Sequence, residues 1–244
     1  MKVDICIPSL KGVSDKYLEN IRKVVPVNRI LVERSRPVGV SRQRCIEWVE
    51  TDFFVFLDDD CILKEGWFDE MFQKMDKLVG LNVGLIGTVG QFKGLGKVEK
   101  SINQFQGTQL RKLGDRGVEL CASLCKNEAF KGWISPLDLS AYEDFILTNY
   151  IISKGYAWVK VDSDKVDHNW SWDKVKSNGL WAGKNSYRMY PSKIVRICLV
   201  LKCLYNLLIF YYRFLIGHNV DITKYQAKQN FYFAIGVAYS CLKH

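Results

Sequence analysis

Three consecutive aspartates, residues 58–60, directly follow an apolar run that ends at Leu57. Adjacent carboxylates repel one another and burial disfavours their charged forms further, so a positive group must compensate them. Carboxylate oxygens suit Mg²⁺ and Mn²⁺, which keep open positions for substrate phosphates. Alternation along a strand would place Asp58 and Asp60 on one side and Asp59 on the other. The triplet therefore predicts a divalent-cation site; the alternative is a solvated turn whose acids cap the next helix.

Two later groups carry side chains suited to chemistry. Glu143 and Asp144 open a predicted helix, where acids either interact with the helix dipole or face a substrate. His168 follows a predicted strand, either as a structural residue or as a ligand. Trp170 and Trp172 come next, and they either present their ring faces to a ligand or are buried against the C-terminal helices. These alternatives are open from the residues alone.

The common nucleotide-binding and zinc-binding signatures are missing. The segment Gly90–Lys97 has the outline of a phosphate-binding loop, but the pattern requires glycine where Gln91 stands and Ser or Thr where Val98 stands. No G-x-G-x-x-G follows the first strand, and the three histidines are scattered. A dinucleotide-dependent dehydrogenase, a Walker-type NTPase and a zinc enzyme are therefore disfavoured.

Short strand patterns alternate with longer helical ones in the part of the chain that carries these residues. Strands are predicted over 2–8, 28–33 and 52–60, and helices over 14–25, 39–50 and 63–78. A strand or strand pair is predicted over 82–92, a hairpin around 117–130, and a helix, a turn at Gly155 and a strand over 140–162. This alternation predicts an α/β fold with a mostly parallel sheet. Because ligands bind beyond the carboxyl ends of such strands, the aspartates stand at the predicted ligand crevice.

Charge is distributed unevenly along the chain. Residues 1–173 carry 24 Lys and Arg against 25 Asp and Glu, whereas residues 174–244 carry 11 against 1. The basic part contains the run Lys193–Gly217, whose apolar stretch 197–212 is shorter than the roughly 20 residues of a membrane span. This combination predicts a helix lying on an anionic membrane surface. The alternative is a helix buried on the main domain or in a homodimer interface; no nucleic acid is expected, because the run is too apolar.

Length and cysteine content restrict the class of protein further. With 244 residues, 48% of them hydrophobic, the chain can bury a substantial core. Its eight cysteines run from Cys6 to Cys241 without a C-x-x-C pair, which is typical of reduced thiols in an intracellular protein. A strand pattern begins at Lys2, so we expect no secretory leader. Together with the basic C-terminal part, this predicts a cytoplasmic protein held peripherally on the inner face of the cell membrane.

The order of these motifs resembles family 2 glycosyltransferases of the GT-A fold. The first strand ends in Ile-Pro, an Asp-x-Asp follows an apolar third strand, and Tyr142-Glu143-Asp144 corresponds to the family's Gly-Glu-Asp. Lys154-Gly155-Tyr156 is similar to its Arg-Gly-Tyr, and His168 to a histidine after the following strand. The helical segment VGVSRQRCIEW is similar to the family's Ala-Arg-Asn segment. The resemblance implies a GT-A catalytic domain over 1–172, which leaves 173–244 as a helical extension for membrane docking or oligomerisation.

The resemblance also implies chemistry. It implies an inverting glycosyltransferase that takes a UDP-sugar or GDP-sugar donor with Mn²⁺ or Mg²⁺. Asp60 and Asp58 would bind the cation, and His168 would complete the site. Asp144 would be the general base that accepts the proton of the acceptor hydroxyl, with Glu143 as its substitute.

Donor and acceptor contacts are expected on both sides of the acids. The residues implied for the donor are Pro8, Glu33, Arg42, Asp58 and Asp59. Arg44 is an alternative to Arg42 for the diphosphate, and both would otherwise line a solvated helix. Trp170 and Trp172 are the candidates for acceptor binding, and the basic apolar extension favours a lipid-linked or membrane-proximal glycan acceptor.

Two other functions stay open. A nucleotidyltransferase also combines a parallel sheet with paired aspartates, although the segment PSLKGVSDK is a poor version of its Gly-rich basic loop. A non-catalytic, membrane-attached protein that binds sugar nucleotides would keep the fold without the chemistry of the acids.

Overall fold

Residues 1–96, 99–100, 103, 120–138, 140–217 and 220–244 are described by a computed structural model. The chain divides into two units. The first unit contains Met1–Gln91 and Lys112–Asn169, and the second contains Phe92–Arg111 and Trp170–His244. The predicted domain boundary after residue 172 falls just beyond this division.

Within the described residues, seven strands form one sheet in the order β2-β1-β3-β6-β5-β7-β4. The strands are β1 (Val3–Pro8), β2 (Val27–Glu33), β3 (Phe53–Leu57), β4 (Cys61–Leu63), β5 (Val83–Lys93), β6 (Ala122–Lys126) and β7 (Ala157–Asn169). β1 pairs in parallel with β2 and β3, whereas the pairs β3–β6, β5–β6 and β4–β7 are antiparallel. The predicted α/β class is confirmed.

The sheet is mixed, so the prediction of a mostly parallel sheet is wrong in this respect. β6 runs against both of its neighbours, β3 and β5. β4 follows β3 after only the three aspartates, which is far too short for a parallel crossover connection. The predicted hairpin around 117–130 is not seen in its described part, because β6 is followed by a helix; residues 117–119 lie outside the described residues.

Five α-helices belong to the described part of the first unit: α1 (Asp15–Val24), α2 (Val38–Trp48), α3 (Trp67–Lys77), α4 (Asn127–Phe130) and α5 (Glu143–Ser153). Ser14 caps α1 by accepting a hydrogen bond from the Tyr17 N–H. The helix predicted from Leu63 begins later, at Trp67. Leu63 belongs to β4. The helix begins after Gly66, whose positive φ of 75° is a turn conformation that glycine adopts easily.

The first unit has an apolar core on each face of the sheet. Val55 and Leu57 of β3 pack with residues of α1 and α3 on one face, among them Ile21 and Met71. Phe54 and Phe56 lie on the other face with residues of α2, α4 and α5: Cys45, Ile46, Phe130, Leu147 and Ile151. Because both faces are covered, β3 is apolar throughout, and it delivers the next residues to the edge of the buried region.

Among the described residues from Trp170 onward, three α-helices belong to the second unit: α6 (Trp172–Lys184), α7 (Lys193–Leu215) and α8 (Val220–Lys243). Helices α6 and α8 cross closely at glycines. A Cβ added to Gly236 would lie 2.5 Å from the Leu180 carbonyl oxygen and 2.8 Å from the Gly183 Cα. A small cluster of buried residues, Phe92, Leu95, Val175 and Tyr225, completes this unit, and Trp170 and Trp172 pack against it.

Candidate functional site

The three aspartates form the turn between β3 and β4. The Cys61 N–H donates to the Asp58 carbonyl oxygen at 3.1 Å, which closes the turn around Asp59 and Asp60. The Asp59 carboxylate turns aside and accepts a hydrogen bond from Ser9 Oγ. Asp59 therefore departs from its neighbours, as the sequence predicts, but a turn produces the separation rather than the alternation of a strand.

The backbone of Asp58 is held from two directions. Its N–H donates to the Cys121 carbonyl oxygen at 2.8 Å. Its own carbonyl oxygen accepts a hydrogen bond of 2.7 Å from the Tyr17 hydroxyl. The position of the first aspartate is thus fixed by α1 and by the residue before β6.

One buried arginine joins the two acidic motifs. Arg42 lies on α2 with 3% of its side chain exposed, and its Nη2 lies 3.2 Å from Asp58 Oδ1, 3.6 Å from Glu143 Oε1 and 3.7 Å from Asp144 Oδ1. Burial alone would lower the pKa of Arg42, but the charges of these three acids raise it above its ordinary value. Arg42 is therefore a fixed cation, and the strand-end acid and the acids at the start of α5 share it. The alternative that Arg42 lines a solvated helix is wrong.

The acids around Arg42 differ in protonation. Burial raises the pKa of Asp58 to about 6; Arg42 opposes this shift, and the charges of Asp60 and Asp144 add to it. Burial and then the charge of Asp144 raise the pKa of Glu143 to about 8, against the opposing effect of Arg42. Near neutral pH, Glu143 is therefore mostly protonated, whereas Asp58 is mostly ionised.

Asp144 is the accessible acid of its pair. Its side chain is 34% exposed, whereas that of Glu143 is 9% exposed. The Leu120 N–H donates to Asp144 Oδ2 at 3.3 Å, and this bond helps to orient the carboxylate. A half-exposed carboxylate held in this way can accept a proton from a bound hydroxyl.

Tyr142, directly before these acids, adopts a left-handed backbone conformation with φ of 62°. This conformation costs a residue with a bulky side chain about 1–2 kcal/mol, whereas glycine adopts it without that cost. Glycine is the residue that the resembled family has at this position. The strain lies at the start of α5, where the surrounding structure must hold the backbone that carries Glu143 and Asp144.

Asp60 and His168 approach each other from two chain segments. β4 pairs with β7 so that Cys61 lies opposite His168. His168 Nε2 consequently lies 3.3 Å from Asp60 Oδ1. The sequence predicts that His168 lies beyond the end of a strand. In the structure His168 lies within β7 instead, because this strand continues to Asn169.

The charges of this cluster fit a divalent cation. Burial and the charges of Asp60 and Asp144 raise the pKa of Asp58 although the cation of Arg42 opposes this shift, so Arg42 does not fully compensate the carboxylates of this cluster. Asp58 and Asp60 offer carboxylate oxygens, the donors that Mg²⁺ and Mn²⁺ prefer. Their mutual repulsion contributes to the raised pKa of Asp58, and a bound cation would relieve it.

A second donor set adjoins this cluster. One ligand atom each from Cys61, Cys121 and His168 lies within 4.8 Å of the others. Thiols suit zinc and other soft ions better than Mg²⁺ or Mn²⁺. A hydrogen bond with Cys121, together with burial, raises the pKa of Cys61 well above its ordinary value, so this thiol stays protonated. The aspartates, rather than the thiols, are therefore the donors suited to a hard cation.

Two of the predicted donor residues lie at the ends of adjacent strands. Pro8 of β1 is paired with Glu33 of β2. The Glu33 carboxylate accepts a hydrogen bond of 2.9 Å from the Ser35 N–H and lies 3.6 Å from the exposed Arg44. Although burial alone would raise it, the pKa of Glu33 is lowered by the hydrogen bonds of Ser35 and the charge of Arg44. Glu33 is thus an ionised group held at the end of β2.

The predicted acceptor residues lie in the second unit. Trp170 contacts Phe92 at a ring distance of 5.2 Å, and Trp172 contacts Tyr225 at 6.4 Å. Lys228 Nζ lies 5.0 Å from the centre of the Trp172 ring. Both tryptophans are half-buried in this packing, so a role in acceptor binding stays a prediction.

Sequence reasoning missed the residues that support the aspartates. Ser9, Tyr17 and Cys121 contact the turn, but no motif marks them. Ser9 gives one usable signal, since it directly follows the Ile-Pro end of β1. Tyr17 and Cys121 give none, because their contacts depend on how α1 and β6 are placed in space.

Comparison with known proteins gives a family. Residues 11–133, half of the chain, match the model of a family described as glycosyl transferase family 2. No curated protein matches the chain. The match agrees with the GT-A-like α/β sheet that the sequence predicts.

Solved structures give weaker similarities. Glucosyl-3-phosphoglycerate synthase from Mycobacterium tuberculosis, in complex with Mn²⁺ and UDP-glucose, is 15% identical with a TM-score of 0.45, over 68% of this chain and 71% of that chain. A197 from STIV is 17% identical with a TM-score of 0.44, over 68% and 83%. TarS from S. aureus is 11% identical with a TM-score of 0.45, over 76% and 40%. At these TM-scores the similarity transfers no ligand and no activity to this chain.

Proposed function

Because the chain belongs to glycosyltransferase family 2, we propose that it moves a sugar from a nucleotide-sugar donor to an acceptor hydroxyl with inversion at the anomeric carbon. One observation carries the proposal. Asp58, from the strand-end turn, and Asp144, from the start of α5, lie 3.2 and 3.7 Å from the same buried Arg42 Nη2. The group suited to the donor and the group suited to the acceptor are thus held side by side.

Asp144 is the proposed general base. It is the more exposed acid of the pair, whereas the raised pKa of Glu143 keeps that acid protonated and unsuited to accept a proton near neutral pH. The acceptor oxygen forms a bond to the anomeric carbon as the bond from that carbon to the diphosphate breaks. The proton of the acceptor hydroxyl passes to Asp144, and the nucleoside diphosphate leaves.

Asp58, Asp60 and His168 would hold Mn²⁺ or Mg²⁺. The raised pKa of Asp58, to which the charge of Asp60 contributes, and the contact between Asp60 and His168 support this assignment. When bound, the cation supplies Lewis-acid stabilisation to the departing diphosphate. Arg42 is a positioning residue in this scheme, because its charge is already shared among Asp58, Glu143 and Asp144.

The remaining assignments are finer parts of the same proposal. Pro8, Glu33 and Asp59 line the donor side of the crevice, with a UDP-sugar or GDP-sugar as donor. Trp170 and Trp172 contact the acceptor, which is a lipid-linked or membrane-proximal glycan. The protein acts in the cytoplasm at the inner face of the membrane. The basic excess of residues 174–244, with 11 cations against one acid, supports that location.

Calorimetry tests the donor site. UDP, GDP and their sugar derivatives are titrated into the protein with Mn²⁺ and then with EDTA. We expect one base to bind, and Asp60→Asn or EDTA to weaken binding at least about tenfold. Asp162→Asn is the matched control, since this aspartate is exposed on the same strand as His168 and should bind as the parent does.

The outcomes separate the alternatives. Absence of binding by every nucleotide to the folded protein would overturn the proposal. If neither EDTA nor Asp60→Asn changes nucleotide binding, donor binding does not require a metal ion, and the metal site is dropped from the proposal. The product released on turnover separates the two enzyme classes. A nucleotidyltransferase would release pyrophosphate from a nucleoside triphosphate, whereas a glycosyltransferase would release a nucleoside diphosphate from a nucleotide sugar.

A further inference from the structure

Helix α7 packs through a narrow stripe of side chains. Its buried residues Arg196, Cys203 and Phe210 are spaced seven residues apart, so they lie on one face. Asn206, near this stripe, reaches Asn230 of α8, with a donor–acceptor distance of 3.5 Å. The stripe is therefore the face that packs against α8.

The face of α7 opposite this stripe is exposed and apolar. Leu201 is 60% exposed and Leu208 is 69% exposed. The exposed apolar and aromatic residues of this face are Ile194, Ile197, Leu201, Leu204, Tyr205, Leu208, Tyr211, Tyr212 and Leu215. Contiguous apolar surface of this kind is rare on a protein that is surrounded by water alone, and it marks a binding surface.

Two cations border this face. Lys202 and Arg213 are both exposed, and they lie eleven residues apart, close to three turns of helix. They therefore lie on one line along the helix, at the edge of the apolar face rather than within it. An apolar face with a cationic edge is typical of a helix that lies in the plane of a membrane surface.

The position of Lys202 argues against a helix that crosses the membrane. By length and composition α7 is a candidate span, and 17% of its most apolar window is buried. Lys202 stands near the middle of Lys193–Leu215, which would place its charge deep in the hydrocarbon of a spanning helix. In a helix lying on the surface, Lys202 and Arg213 both reach the headgroups instead.

We infer that α7 docks in the plane of an anionic membrane surface, with Leu201, Leu204 and Leu208 inserted and Lys202 and Arg213 at the lipid headgroups. The occupant follows from charge complementarity. Residues 174–244 carry 11 Lys and Arg and a single acid, Asp221. Each cation near an anionic surface adds attraction that an uncharged surface does not supply.

Vesicle flotation of the full chain tests this inference. Vesicles of phosphatidylcholine are compared with vesicles of equal parts phosphatidylcholine and phosphatidylglycerol. We expect the protein to float with the anionic vesicles and to be released from them by alkaline carbonate, as a surface-bound protein is. The Leu201→Gln/Leu208→Gln variant should bind at least about thirtyfold more weakly.

Two matched variants make the result specific. Lys202→Gln/Arg213→Gln should weaken binding to anionic vesicles about tenfold to thirtyfold and leave binding to neutral vesicles unchanged. Leu81→Gln/Leu137→Gln changes two leucines of the first unit that are 60% and 88% exposed, and it should float as the parent does. Circular dichroism confirms that each variant is folded.

Several results would overturn the inference. One is that the protein floats with neither kind of vesicle, and another is that the Leu201→Gln/Leu208→Gln variant floats as the parent does. A third is release by detergent but not by carbonate, which would indicate a membrane-spanning helix. A dimer in solution that the same variant converts to a monomer, without flotation, would assign the face to a second copy of the chain. Nucleotide binding is read separately, so the membrane inference and the proposed function can fail independently.

Discussion

The two units depart from the ordinary distribution of side chains in opposite ways. The first unit buries ionisable side chains, with Arg42 and Glu143 almost inaccessible to solvent. The second unit exposes apolar surface along α7. Charged groups are rarely buried without partners, and large apolar patches are rarely exposed. Each departure is costly unless something outside the chain compensates it, and we propose a bound cation for the first unit and the apolar interior of a membrane for the second.

The largest effect is expected where the first unit meets a substrate. Asp144→Asn removes the proposed base but keeps the shape of the side chain. Turnover, measured as nucleoside diphosphate released in the presence of acceptor, should fall about 10²–10⁴-fold, while donor affinity changes little. Glu143→Gln should cost much less, because that acid is already mostly protonated. The reverse ranking would transfer the role of base to Glu143.

Loss of the buried cation should be the most damaging change to stability. Arg42→Met leaves Asp58, Glu143 and Asp144 without their shared partner, which should lower the free energy of unfolding by about 3–5 kcal/mol in urea denaturation. Arg44→Met is the matched control on the same helix, since Arg44 is 52% exposed, and should change it by less than about 1 kcal/mol. Equal effects of the two substitutions would show that the acids do not depend on Arg42.

In the second unit, stability should depend on the close crossing of helices rather than on the exposed face. Gly236→Ala places a methyl group 2.5 Å from the Leu180 carbonyl oxygen, and it should lower the free energy of unfolding by about 1–3 kcal/mol. Gly80→Ala is the control, because a Cβ there meets nothing within 4 Å. If thermal unfolding does not distinguish the two variants, α6 and α8 do not pack as tightly as the structure indicates.

The stability of the first unit should also depend on pH. The folded protein keeps a proton on Glu143 up to a pKa of about 8, whereas an ordinary glutamate, with a pKa of 4.5, loses it earlier. Stability should therefore fall as pH rises from about 4.5 to about 8, with Asp58 adding to the trend up to about pH 6. Glu143→Gln, followed by urea denaturation across this range, should flatten the slope.

Asp4 provides the opposite case among the buried acids. Burial alone would raise its pKa, but hydrogen bonds from Arg29, the Glu50 N–H and Asn28 lower it below the ordinary 3.8. Its contribution to stability is present above pH 3.8 and is lost as the pH falls further. Asp4→Asn should therefore lower stability by a constant amount above about pH 4.5 and change the slope only on the acid side of the profile. A change of slope between pH 4.5 and 8 in this variant would mean that the slope does not belong to Glu143.

Local sequence predicted much of the first unit. The alternation of apolar runs and caps identified β1, β2, β3 and the first two helices to within a few residues, because these features depend on neighbours along the chain. The two acidic motifs were visible for the same reason. The sequence did not predict that Asp58 and Asp144 both approach Arg42, because this contact depends on which face of α2 packs against the sheet. The direction of β6 depends likewise on the return of the chain after β5.

The second unit shows the same limit in another form. The apolar character of 193–217 was readable from composition, and α7 is found there. Which residues face α8 could not be read, because the helix is apolar on nearly every side. The seven-residue spacing of Arg196, Cys203 and Phe210 becomes informative only when the packed partner is known.

The tight turn between β3 and β4 makes the site sensitive to chain length. Only Asp58, Asp59 and Asp60 separate the two strands, and Cys61 begins the pairing that sets it opposite His168. One inserted residue would shift β4 by one position against β7 and reverse the side to which each of its residues points. A change in the length of this turn, or a recombination breakpoint within it, should therefore be poorly tolerated.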